Sequence, residues 1–298
     1  MAEVTAGVEA PTVKSIFVYP IKSCGRISVS QAPLASTGFR WDRLWMVVNS
    51  NGRMYTQRVM PKLALVQVHL PPEAFSPGWK PNKTSFLEIR APGMNVVKVP
   101  LVEPRAMANG ISVWNWNGSA FDEGDEVAAW FSNYLEKPSR LVRFNEESES
   151  RPVMSDLCVG HTIRFSDAYP FHLLSQSSMD ALNSQLSEPV PVNRFRPNLL
   201  IDGCEPFSED LWNEVEINGL TFSAGELCWR CKIPTINQDT AIGGSEPNET
   251  LKNFRSGRVY VGTFMVCSND TLETEKDIRV GDPVHVLKTF SSYAECPV

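Results

Sequence analysis

Apolar and polar positions follow one another in short runs through most of the chain, and the runs are those of strands rather than long helices. Residues 13–19 (VKSIFVY) are β-branched and aromatic, and Pro20 breaks them, leaving 21–25 as a turn. A second strand is predicted at 44–48. Asn51-Gly52 is a hairpin signal with 53–56 returning, and 63–70 closes a meander. Residues 71–84 carry four prolines and no periodicity, so they read as a loop. Short strands are predicted at 85–90, 95–101, 111–115 and 141–144. In the second half they fall at 199–201, 215–217, 220–222, 259–266 and 284–288, with Asn218-Gly219 as a second hairpin turn.

Helical spacing is confined to three places. Val127, Trp130, Phe131 and Tyr134 place a helix over 126–135, capped by Asp122 and stopped by Pro138. Met179, Leu182 and Leu186 give another over 176–186, capped by Ser175, and 249–254 is a short third. Residues 1–11 read as a loose tail. The most polar run, 146–152 (EESESRP), is a linker or mobile loop between two halves, or an exposed loop inside one. Many short strands with few helices and no alternating βαβ units indicate a mostly β, α+β chain of barrel-like architecture.

Composition narrows the class. The 298 residues suffice for two domains, or for one large β-rich one. A net charge of −6 without a basic stripe argues against a nucleic-acid binder. No run of about 18 apolar residues is available to span a membrane. Seven scattered cysteines are no dense disulfide framework, so a reducing compartment is expected. The start of the chain, with Glu3 and Glu9 ahead of Lys14, suits neither a secretory signal nor a transit peptide, and a cytoplasmic protein is expected.

Four stretches carry candidate chemistry. Cys228-Trp229-Arg230-Cys231 places an arginine between two thiols. No second CxxC and no paired histidines accompany it, which disfavours zinc, and 232–236 is a poor helix start for a redox dithiol. From this motif alone, buried thiols that happen to lie three apart are the favoured reading. Asp42-Arg43 is a charged turn into a strand or a fork of donors for an anion. Residues 193–198 (NRFRPN) make a strand-entry loop or a seat for a polar heterocycle. Lys22 and Ser23 lie in a turn whose N–H groups suit a phosphate, although no Walker or GxGxxG pattern is present.

The order of the motifs says more than any one of them. YPIKSCG (19–25), GFRWDRLWMVV (38–48), TQR (56–58), DAYPFHLLSQSSMDALN (167–183), NRFRPNLLIDG (193–203), CWRCKIPT (228–235) and RVGDPV (279–284) follow one another in a succession that resembles the MOSC family. The nearest likeness is to its amidoxime-reducing components, whose MOSC domain is similar to the C-terminal part of molybdenum cofactor sulfurases. The resemblance runs from about Val13 to Leu287. It implies an N-terminal MOSC-associated β-barrel domain over 12–145 and a MOSC domain over 152–290.

The same resemblance implies a molybdenum–molybdopterin cofactor with Cys231 as metal ligand and catalytic thiol and Cys228 as a bystander. Lys22, Ser23 and Arg43 are expected at the cofactor's phosphate end, Arg196, Asn198 and Arg230 around it, and Asp167 and Ser175 in the matching helix-entry segment. Relatives often have Ser where this chain has Trp229. The implied activity is two-electron reduction of N-hydroxylated compounds (amidoximes, hydroxylamines, also nitrite), with electrons from NADH through cytochrome b5 reductase and cytochrome b5. A cofactor-carrier module is the alternative. Animal members have an N-terminal membrane anchor. A plant-type member without one is expected here, or else a place at the mitochondrial outer-membrane surface with the anchor supplied otherwise.

Overall fold

The computed structural model describes residues 10–102, 106–268 and 276–297. The tail expected at 1–11 therefore lies outside the described residues over 1–9. The first half holds β1 (Thr12–Val18), β2 (Ile27–Val29), β3 (Gln31–Ala35), β4 (Gly38–Phe39), β5 (Trp45–Val48), β6 (Gln67–His69), β7 (Phe86–Arg90), β8 (Val97–Pro100), β9 (Ala106–Val113) and β10 (Trp116–Asp122). Helix α1 (Asp125–Leu135) and β11 (Arg140–Phe144) complete it. The second half holds β12 (Phe171–Ser175), α2 (Gln176–Asn183), β13 (Leu199–Asp202), β14 (Trp212–Ile217) and β15 (Leu220–Trp229). After these come α3 (Asn248–Phe254), β16 (Tyr260–Cys267), β17 (Asp277–Arg279) and β18 (Val284–Thr289).

The expected mostly β class with a few helices is what forms. The largest sheet has the order β18-β14-β15-β16-β12-β13-β1-β2. A second has the order β5-β11-β10-β9, and two of three strands run β17-β3-β4 and β6-β7-β8. β1 pairs antiparallel with β13, so β1 and β2 extend a sheet built otherwise from the second half. One apolar cluster joins the halves, with Ile16, Trp45 and Phe131 from the first packed in the same core as Phe171, Phe222 and Met265.

Several local expectations change for identifiable reasons. Pro61 opens a 3-10 turn over Pro61–Leu65, which shortens the strand expected at 63–70 to β6. At 49–53 the Asn49 side chain accepts from the Asn51 and Arg53 amides, and 53–56 makes only isolated bridges instead of a regular hairpin. Asp122 does not cap α1. Its carboxylate pairs with Arg140 and accepts from the Gly124 amide, and Gly124 is the N-cap residue. Ser175 does cap α2, accepting from the Ser178 amide at 3.1 Å, but the helix ends at Asn183, short of Leu186.

At Asn218-Gly219 both residues have positive φ, 50° and 67°, and the β14–β15 hairpin forms as its dipeptide demands. β15 then runs on to Trp229, well past the strand end expected at 222, through a register shift near Gly225. That extension carries the chain to the CWRC segment. The polar run 146–152 is tied down on both sides: Glu146 pairs with Arg164 at 2.8 Å and Glu149 accepts from Ser119.

Candidate active site

The segments that bear the motifs converge on one cavity of about 330 Å³. Lys22 and Ser23 come from the turn after β1, which is held by the Cys24 amide donating to the Ile21 carbonyl at 3.1 Å. Ser23 has φ 68° and its carbonyl accepts from Gln57 Nε2 at 2.8 Å. Arg43 and Arg196 also have left-handed φ, 46° and 56°, a backbone state that non-glycine residues adopt seldom. Both guanidinium groups lie against the Tyr19 ring, at 4.2 and 4.3 Å from its centroid. Arg43 Nη1 donates to Asn198 Oδ1 at 3.1 Å and pairs with Asp42 at 2.6 Å, while Asn198 Nδ2 donates to the Phe17 carbonyl at 3.1 Å. The cavity wall on this side is therefore cationic and rigidly held.

The thiol side is built by the end of β15. Cys228 faces inward, with the Arg230 guanidinium against its sulfur, and burial pushes its thiol up to about 11. Arg230 Nη2 donates to the Phe195 carbonyl at 2.9 Å, and its Nε is buried without a partner among the described residues. Cys231, past the strand end, is only partly buried and opens onto the cavity. Its Sγ accepts from the Ile233 amide at 3.4 Å and from Arg58 Nη2 at 3.2 Å. The two thiols are free, in different environments, and the pair is no disulfide.

Between these walls stands Asp167. Lys22 and Arg58 both pair with it, Arg58 Nη2 at 3.0 Å. Burial alone would raise its carboxyl, but the two cations overcome that and hold it well below the usual range. Lys22 is buried and also donates to the Phe165 carbonyl at 2.7 Å. Desolvation brings its ammonium down to about 8 against the opposing pull of Asp167. Arg151 fixes the segment that carries Asp167, donating to the carbonyl oxygens of Arg164 at 2.9 Å and Asp167 at 3.1 Å.

Of the residues singled out from sequence, Lys22, Ser23, Arg43, Asp167, Arg196, Asn198, Arg230 and Cys231 line this cavity together. Ser175 does not. Its hydroxyl is fully buried, donates to Glu209 at 2.9 Å and caps α2. Among the lining residues that were not singled out are Arg58, Trp114, His172 and Phe264. Arg58 lies in the TQR motif and His172 in the DAYPFHLL stretch, so each had a sequence marker without a visible role. Trp114, at a hairpin tip, had none. Burial lowers the His172 imidazole to about 3, and its Nε2 lies 3.1 Å from the Val261 carbonyl, so the ring is neutral.

Five cations (Lys22, Arg43, Arg58, Arg196, Arg230) face a single carboxylate in this cavity, although the chain as a whole carries −6. Among the described residues no three His, Cys, Asp or Glu side chains gather to hold a metal ion. The arrangement suits an anionic ligand, with the Cys231 thiol opening onto the same cavity. Residues 10–138 match the MOSC N-terminal beta barrel domain and residues 160–285 match the MOSC domain.

The chain belongs to the MOSC family. It is 35% identical to mitochondrial amidoxime-reducing component 1 of Mus musculus over 290 residues, covering 93% of this chain and 82% of that protein. Against the Homo sapiens protein of the same name the identity is 32%, over 93% and 83%. Molybdenum cofactor sulfurase of Danio rerio is 30% identical over 94% of this chain and 34% of its own length. Among the described residues no helix is long and apolar enough to cross a membrane.

Proposed function

We propose that this MOSC protein binds the molybdenum cofactor through Cys231 and reduces N-hydroxylated compounds. The observation that carries the reading is the Cys231 thiol opening onto a cavity with five cations and one carboxylate. The fit is chemical: a soft thiolate donor for the metal, guanidinium groups for a phosphate, and Arg58 Nη1 and Arg230 Nε, which have no partner among the described residues, left to donate. Lys22, Ser23 and Arg43 would hold the phosphate end, and Arg196, Asn198 and Arg230 the remainder. Bound there, the cofactor would supply two-electron redox chemistry at the metal.

The protein's own part is positioning. Arg58 bridges Cys231 and Asp167 and so fixes the thiol relative to the Lys22 wall. Arg151 keeps the Asp167 segment in place. Neutral His172 and the buried aromatic side chains restrict water on the β12–β16 side. An amidoxime with two electrons and two protons becomes an amidine and water. The electrons would come from NADH through cytochrome b5 reductase and cytochrome b5.

The test is reduction of benzamidoxime by NADH with both cytochrome b5 partners, wild type against Cys231→Ala. The cofactor-loaded wild type should contain about one molybdenum per chain and turn over. The Cys231→Ala protein should lose both, and Cys228→Ala should keep its molybdenum. Normal metal content and turnover without the Cys231 thiol would end the assignment. A loaded wild type that reduces nothing would point instead to a cofactor carrier, a reading favoured by the likeness to the sulfurase.

A further inference from the structure

Trp114 and Trp229 are the two tryptophans of this chain most open to solvent, 48% and 58% exposed. The other six of its eight are buried or half-buried. Both exposed rings line the cavity that contains Cys231, one from the β9–β10 turn and one from the end of β15. Large aromatic surface left open at a cavity mouth calls for a ligand that covers it.

Each ring is also held. Trp114 keeps a left-handed φ of 53°, unfavourable for a bulky side chain and a feature that gathers at binding sites. Its Nε1 donates to Asp167 Oδ1 at 3.3 Å, and the Arg58 guanidinium lies 5.0 Å from its ring centroid. Of the two groups that set its orientation, Arg58 also donates to the Cys231 thiol and Asp167 pairs with Arg58. Trp229 is braced by Tyr260, 4.9 Å away at 81° between ring planes. Rings pre-oriented in this way lose little freedom when a flat partner covers them.

We propose that Trp114 and Trp229 form an aromatic wall that takes the planar body of the substrate and makes aryl N-hydroxylated compounds preferred over alkyl ones. The proposal rests on the reading of the cavity as a reductase site. The polar interior accepts the N–O head group, and the indole faces meet an aryl ring. Acetamidoxime, as the smallest alkyl case, offers them only a methyl contact. Aromatic pairing of this kind corresponds to roughly a 3- to 10-fold preference per ring.

The experiment measures calorimetric Kd values of benzamidoxime and acetamidoxime for oxidised, cofactor-loaded protein in the absence of reductant, so that binding is read without turnover. KM and kcat follow with the complete electron chain. In Trp114→Ala and in Trp229→Ala the aryl preference, the ratio of the acetamidoxime Kd to the benzamidoxime Kd, should fall roughly 3- to 10-fold, with the effect in KM rather than kcat. Trp229→Phe and Trp114→Phe should restore most of the ratio and guard against misfolding. A ratio unchanged in both Ala variants, in a wild type that reduces both compounds, overturns the aromatic wall alone. A wild type that binds and reduces neither overturns the reductase reading and this inference with it.

Discussion

Two cysteines three positions apart end in different chemistry because a strand ends between them. Cys228 is inside β15, buried with a raised thiol, while Cys231 follows the last strand residue and opens onto the cavity. The same local logic makes His172 a core residue with a measurable signature. Its imidazole is held near 3 against a usual 6.5, so between those values the folded state binds fewer protons than the unfolded chain. The stability it contributes is fully present above about pH 6.5 and is lost as pH falls toward 3. The buried Asp210 carboxyl, pushed up to about 7 first by burial and then by Glu209, acts in the opposite sense, so the clean measurement is a difference. Urea unfolding of wild type and His172→Gln between about pH 4 and pH 6 should give stabilities that diverge by up to about 1.4 kcal/mol per pH unit. Parallel curves would show that the ring is not held neutral. Residues such as Lys22 and Cys231 were legible because their motifs survive as short words in the sequence. Arg58 was not, because its role consists of two contacts, to residues 109 and 173 positions away.

At the scale of elements, strand pairing decides how the site is held. β16 lies between β15, which ends at the thiol, and β12, which carries His172. Gly262 is where β16 comes closest to β12. Its φ is 72°, and an added Cβ would press into the Leu173 carbonyl oxygen and lie 2.7 Å from His172 Nε2. Gly262→Ala therefore combines backbone strain with a clash against main chain, which has no way to rotate aside. A loss of about 2 kcal/mol or more in chemical denaturation is expected, with lower molybdenum occupancy where the protein still folds. Unchanged stability would mean that the β12–β16 spacing is slack. These strands were partly readable: the run at 259–266 matches β16 within a residue at either end. β15 was read only to 222 because Ser223, Ala224 and Gly225 break its apolar alternation. Gly225 is there for packing, since a Cβ would collide with the Tyr169 ring. β2, β3, β4, β12 and β17 were missed because runs of two to five residues show no readable alternation, and β10 because Asn117, Gly118 and Ser119 interrupt its apolar positions.

For the whole molecule, the question is whether the two expected halves, 12–145 and 152–290, are separable units. The cavity draws Lys22, Arg43, Arg58 and Trp114 from the first and Asp167, Arg196, Asn198 and Cys231 from the second. β1 sits between β13 and β2, with Ile16 opposite Leu199, and Phe17 packs with Leu174, Met179 and Leu200 around α2. Removing the first half would strip β13 of its neighbour and expose a hydrogen-bonding edge next to a broad apolar surface. We therefore expect residues 152–290 alone to lack cooperative unfolding and to aggregate, while the same segment joined to residues 10–30 through a flexible linker gains solubility by recovering β1 and β2. The linked version should still fail to retain the cofactor, because Arg43 and Arg58 remain absent. Circular dichroism, thermal melts and metal content of the two fragments against the full chain provide the check. A 152–290 fragment that melts cooperatively and holds molybdenum would show that the second half forms the site unaided, and that the first-half cations are dispensable.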